Sequence, residues 1–312
     1  MKRLLSMVWI LGTLGACSGQ DKVASAFTLL QEQKWEEAAG AFRDIVKADP
    51  SNAVTQNGLG QAEMQLGKFD DGLAALTKAI DLATQADAVQ DTLGSYYSDR
   101  GFAYYIQGQF EAAKADYHQA AEYGYKLGET YAYIGVIVGE MGDDLKALAY
   151  LDKAVKADPE CHFAWSNRGY YHSKLGDNRF AIFDFSKAIQ LMPDDKMSFL
   201  NRGYTYIGMD DYESALRDIE TALKFDPDYL EAIAYKGIAL TNTGKSPEAV
   251  EWLTRAIGMQ PDNPAFYYYR GVAYLNFGEI DAGCKDLAMA KEGGHYEGEE
   301  MRETYCNGVP RN

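Results

Sequence analysis

Arg100, Arg168, Arg202 and Arg270 each directly precede a glycine, and sixteen residues further on stand Asp116, Asp184, Asp218 and Asp286. A row of free guanidinium groups is an anion site, because its planar fork of donors matches phosphate and carboxylate. A guanidinium already committed to a carboxylate is a poor one, and the fixed spacing argues for internal ion pairs. The remaining chemistry-bearing residues are scattered. His118, His162, His172 and His295 make no close pair at metal-ligand spacing, and CxxC, HExxH and GxSxG are all missing. Ala239 to Ser246, ending Thr243-Gly244-Lys245-Ser246, fits a relaxed phosphate-loop pattern with alanine for the first glycine. A phosphate loop follows a strand, whereas a helical pattern precedes this one and Gly244 falls at a turn. Ser246 reads as an N-cap, with Pro247 in the first helical turn. No catalytic residue, metal site, nucleotide site or other cofactor site is expected.

The elements that hold these residues follow from a period. Gly101, Gly135, Gly169, Gly203, Gly237 and Gly271 are each 34 residues apart. Ala113, Ala147, Ala181, Ala215 and Ala249 keep that step, as do Ala120, Ala154, Ala188, Ala222, Ala256 and Ala290. Prolines at 159, 193, 227 and 261 close four units. Small residues recur where two helix backbones approach closely, and large ones fill between them: Trp165, Phe199 and Tyr267 in one series, Tyr104, Tyr206 and Tyr274 in another. Gly108, Gly142, Gly176 and Gly278 separate the paired helices, and proline ends each unit because it cannot continue a helix. Two weaker units lie upstream, set apart by seven extra residues around 83–93. The Arg–Asp spacing then joins the first helix of a unit to its second. Units without the arginine also lack the aspartate: Lys236 goes with Trp252, Ile134 with Tyr150, Leu59 with Ala75, and Ser25 with Ala41.

In spacing and residue type this register resembles the tetratricopeptide repeat. The resemblance implies an all-α, right-handed superhelical solenoid of about eight helical hairpins, with a C-terminal capping helix over Tyr296 to Tyr305. It implies non-catalytic binding of protein or peptide partners in a groove lined by the fifth, ninth and twelfth positions of each unit. Over the third to eighth units none of those positions is charged, in a chain that is 24% charged. Phe102, Tyr105, Tyr170, Tyr204, Ile207 and Tyr268 are the expected anchors. No lysine falls at the positions that would clamp a C-terminal carboxylate. Cys284, on the second helix of the last unit, and Cys306, at the end of the cap, are either a disulfide or two buried thiols. The bridge is favoured in an oxidising compartment.

Met1-Lys2-Arg3 followed by uncharged Leu4 to Ala16 suits a secretory leader and is too short to span a bilayer. Leu14-Gly15-Ala16-Cys17 resembles the bacterial lipobox, which implies cleavage before Cys17 and acylation of its thiol. The expected organisation is a leader over 1–16, two units and an irregular connection over 17–93, six units over 94–297, and a cap and tail over 298–312. Ser18, rather than aspartate, after the cysteine implies sorting to the outer membrane; the lipoprotein is expected to face the periplasm, with the cell surface as the alternative. The function implied is a lipid-anchored scaffold or adaptor at the bacterial cell envelope. The alternative is an envelope enzyme or small-ligand-binding protein using the same groove. The chain carries 46 acidic and 30 basic residues, a charge of −16, which argues against nucleic acid as partner.

Overall fold

The structure, a computed structural model, describes residues 18–306. These residues form seventeen helices and, among them, no strand. They divide into two compact units that meet in the sequence at Pro159 and Glu160. Unit one holds four hairpins: α1 (Ser18–Gln31) with α2 (Trp35–Ala48), α3 (Ala53–Gln65) with α4 (Phe69–Gln85), α5 (Gln90–Ile106) with α6 (Phe110–Glu122), and α7 (Leu127–Glu140) with α8 (Asp144–Ala157). Unit two holds four more: α9 (His162–Lys174) with α10 (Asn178–Leu191), α11 (Lys196–Ile207) with α12 (Tyr212–Phe225), α13 (Leu230–Asn242) with α14 (Ser246–Met259), and α15 (Pro264–Asn276) with α16 (Ile280–Glu292). The short helix α17 (Glu299–Cys306) packs on α16. Eight hairpins are what the period of 34 predicts, and the terminal helix is the cap expected over the acidic tail.

The small-residue series explains why the hairpins close. A Cβ on Gly135 would lie 2.9 Å from Leu151 Cγ and 3.0 Å from the carbonyl oxygen of Ala147, so only glycine lets α7 approach α8 this closely. Ala113, Ala147, Ala181, Ala215 and Ala249 are fully buried on the partner helices. The residues that fill between the helices form a series that the residue types hide. Tyr117, Leu151, Phe185, Ile219, Leu253 and Leu287 recur every 34 residues and are 0–2% exposed. Trp165, Phe199 and Tyr267, expected in that role, are only half-buried and lie elsewhere.

Turns follow the same register. Gly142 (φ +93°) and Gly176 (φ +84°) take the left-handed conformation that links the paired helices, and at the same register Gln33 (φ +60°) and Asp210 (φ +59°) take it without being glycine. The seven extra residues around 83–93 do not form an irregular connection. α4 runs on to Gln85 and α5 begins at Gln90, so most of the insertion is added helix. Ser246 is the first residue of α14 rather than its cap; it is buried, and Lys245 stands before it without a side-chain cap. α17 starts at Glu299, three residues later than expected.

Candidate partner-binding face

Each arginine of the 34-residue series reaches its aspartate with two donors. Arg100 donates from Nε and Nη2 to Asp116 at 2.7 and 2.8 Å, Arg168 to Asp184 at 2.8 and 2.7 Å, Arg202 to Asp218 at 2.7 Å twice, and Arg270 to Asp286 at 2.6 and 2.9 Å. All four aspartates are buried. Arg202 and Arg270 give their third group to a hydroxyl on the preceding hairpin, Ser186 at 2.8 Å and Thr254 at 3.0 Å. The aromatic series lies against the guanidinium groups rather than between the helices. Trp165 sits 4.7 Å from Arg168, Phe199 5.8 Å from Arg202 and Tyr267 5.6 Å from Arg270. In one of the four hairpins without the pair, Lys236 Nζ lies 4.4 Å from the Trp252 ring and 2.9 Å from Glu220. The arginines are structural cations with their donors engaged, as their spacing predicts, and they offer no open row for anions.

The first helices of unit two, α9, α11, α13 and α15, pack side by side and present one face. Tyr170 and Tyr204 stand on it 47% and 51% exposed. Between α11, α13 and α15 the face dips into an open recess of about 360 Å³ lined by Tyr204, Ile207, Ala234, Ile238 and eight further residues. Those eight include Tyr235, Tyr269, Phe266 and Glu231, none of which the fifth, ninth and twelfth positions supply. The signal for two of them lies in the sequence, since Tyr235 and Tyr269 share the sixth position of adjacent units. The Tyr204 and Tyr235 rings are 5.0 Å apart. Burial, with the Glu231 carboxylate nearby, pushes the Tyr235 hydroxyl up to about 12, and burial beside Glu297 raises Tyr269. Both phenols therefore keep their protons at neutral pH. The recess is largely uncharged, as expected of the groove, but Glu231 is a carboxylate on its rim.

Other expected anchors are differently placed. Phe102 and Tyr105, on α5 of unit one, are half-buried and belong to an aromatic cluster with Tyr133, at 6.0 and 6.3 Å. The first-helix face of this unit is also polar further upstream, where Asn57 and Gln61 of α3 donate to Asp99 at 3.1 and 2.8 Å. Tyr268 is half-buried beneath the cap: its ring meets His295 at 4.6 Å, and a Cβ on Gly298 would lie 3.1 Å from it. The cap is fastened by a disulfide between Cys284 and Cys306, with Cα atoms 5.6 Å apart. Cys161 is buried at the start of α9.

Gly244 (φ +75°) lies in the turn between α13 and α14, so a helix precedes the phosphate-loop look-alike. Among the described residues no group of three or more His, Cys, Asp or Glu is arranged to hold a metal ion, and no helix is long and apolar enough to cross a membrane. Cys17 and the leader lie outside the described residues.

Three comparisons match this geometry. The sequence pattern of the family described as tetratricopeptide repeat matches residues 25–87, 200–264 and 236–290. Human tetratricopeptide repeat protein 6 is 24% identical over 147 residues, which are 47% of this chain and only 27% of that protein. Among solved structures, a chain of the APC/C hetero-tetramer Cut9–Hcn1 is 16% identical with a TM-score of 0.68, covering 80% of this chain and 48% of its own. A MamA fragment from Desulfovibrio magneticus is 18% identical with a TM-score of 0.50, covering 55% of this chain and 96% of its own. The fold is that of tetratricopeptide-repeat solenoids, and the sequence pattern of that family matches the two stretches 25–87 and 200–290.

Proposed function

We propose that the protein is a lipid-anchored scaffold of the bacterial cell envelope that binds a protein or peptide segment on the first-helix face of unit two. The observation that carries the binding site is the exposure of Tyr170 and Tyr204 on that face, with Tyr204 opening into the recess beside Ile207 and Ile238. Large aromatic side chains around a concave apolar surface are the usual anchors of peptide recognition, because they bury much area at little rotamer cost. Unit one supports this role less well, since Phe102 and Tyr105 spend their ring faces on one another and on Tyr133. The envelope location and the anchor rest on the leader and on Cys17, through their resemblance to bacterial lipoproteins.

Crosslinking and pull-down from membranes test the site, with the wild type and Tyr170→Ala plus Tyr204→Ala as baits. Both tyrosines are solvent-exposed, so the double variant is expected to fold and to lose the partners that the wild type recovers. Recovery of the same proteins by both baits would mean that the face is not the binding site.

A further inference from the structure

The recess holds more than an apolar groove requires. Three tyrosines, Tyr204 on α11, Tyr235 on α13 and Tyr269 on α15, line one cavity together with Glu231. Tyr204 and Tyr235 lie 5.0 Å apart with their planes inclined at 34°, tilted rather than stacked flat on one another. Glu231 is exposed and has no hydrogen-bond or ion-pair partner among the described residues. No lysine or arginine is among the twelve lining residues, although cations elsewhere in this unit sit on rings, as Lys236 does on Trp252. The raised Tyr235 and Tyr269 hydroxyls keep these rings as neutral phenols, whose faces carry the negative end of the ring quadrupole.

Aromatic faces beside an unpaired carboxylate form a site for a cation. Cation–π attraction and charge complementarity act together there, and an anionic segment is repelled by the same groups. The wall beyond the tyrosines, formed by Ile207, Leu230 and Ile238, suits apolar residues on either side of the cation. That favours a side chain carried on a protein segment over a small free ammonium ion. We propose that the recess takes the lysine or arginine side chain of a partner segment, with apolar residues flanking it, the cation lying over the three tyrosine rings and its charge met by Glu231. This inference rests on the reading of the unit-two face as a partner site and adds the chemistry of the partner.

A randomised decapeptide array, probed with the purified full chain, tests it. Glu231→Gln and Tyr204→Ala are probed in parallel after circular dichroism has verified their helix content. The wild type should enrich peptides with Lys or Arg at one fixed position between apolar residues. Glu231→Gln should bind those peptides about two- to fivefold more weakly, the size of one part-exposed charge pair with the rings left in place. Peptides in which norleucine replaces the basic residue should bind wild type and Glu231→Gln alike. If acidic or purely apolar peptides are enriched, or if Glu231→Gln keeps the basic preference undiminished, the inference is wrong and the groove still stands. If Tyr204→Ala selects the same peptides as the wild type, the groove reading itself falls and this inference with it.

Discussion

At residue scale the arginine on a hairpin's first helix and the aspartate sixteen residues further on work as one group. Arg202 is held by Asp218 through two hydrogen bonds, roofed by Phe199 and tied to Ser186 of the preceding hairpin. Removing one member of such a buried pair leaves the other charge uncompensated, which costs about 3 kcal/mol, whereas replacing both with apolar residues is often near neutral. This chain already contains the apolar solution, since Ile134 is fully buried and Tyr150 packs against the same core cluster at those two positions. Asp218→Ala is therefore expected to lower stability by about 3 kcal/mol. Arg202→Ile combined with Asp218→Tyr is expected to lose clearly less. Urea titration of both variants measures this, and a double variant as unstable as the single one would refute the exchange. The co-variation in the sequence revealed the pair. It did not reveal the aromatic roof, because tyrosine and tryptophan at helical spacing read equally well as core, nor that Lys236 and Trp252 substitute a cation–π contact for the ion pair.

At the scale of the helix and its turn, the hairpin connection demands a left-handed residue, and the sequence supplies glycine at most of these positions. Gln33 meets the demand at φ +60° between α1 and α2, a conformation that costs an L-residue roughly 1–2 kcal/mol. Glycine there gives back part of that through its greater freedom in the unfolded chain. Gln33→Gly is expected to stabilise the protein by about 0.5–1 kcal/mol, and Gly142→Ala, at φ +93°, to destabilise it by a similar or larger amount. Thermal melting of the two variants decides it, and a lower midpoint for Gln33→Gly would contradict the argument. Turns and hairpin pairing were legible because glycine and proline have strong backbone preferences that need no neighbour. The recess was only half legible. Which first-helix positions face its open side depends on how α11, α13 and α15 lie against one another, so Tyr235 and Tyr269 of the sixth position enter it beside the expected Tyr204 and Ile207. A period of 34 residues specifies that the hairpins repeat, but not the angle at which one packs on the next.

For the whole molecule the acid surplus and the proposed anchor must be compatible. Loss of residues 1–16 removes two bases and no acids, leaving 28 bases against 46 acids, a charge of −18. Such a charge repels anionic lipid surfaces, so the net charge works against attachment to a membrane rather than for it. α1 begins at Ser18, directly after the cysteine of the lipobox-like sequence, so acyl chains on Cys17 would attach the first hairpin without a spacer. Attachment by acyl chains is insensitive to ionic strength, whereas attachment through surface charges is screened out once the Debye length falls to about 3 Å in about 1 M salt. Expressed in a Gram-negative host, the wild type is therefore expected in the membrane fraction before and after a high-salt wash and to incorporate a labelled fatty acid. Cys17→Ser should lose the label and appear in the soluble fraction. Cys161→Ser should keep both label and location, because that thiol is buried at the head of α9. Release of the wild type by salt would point to a protein or lipid-headgroup contact instead of an anchor, and membrane retention of Cys17→Ser would show that something other than this thiol holds the chain there.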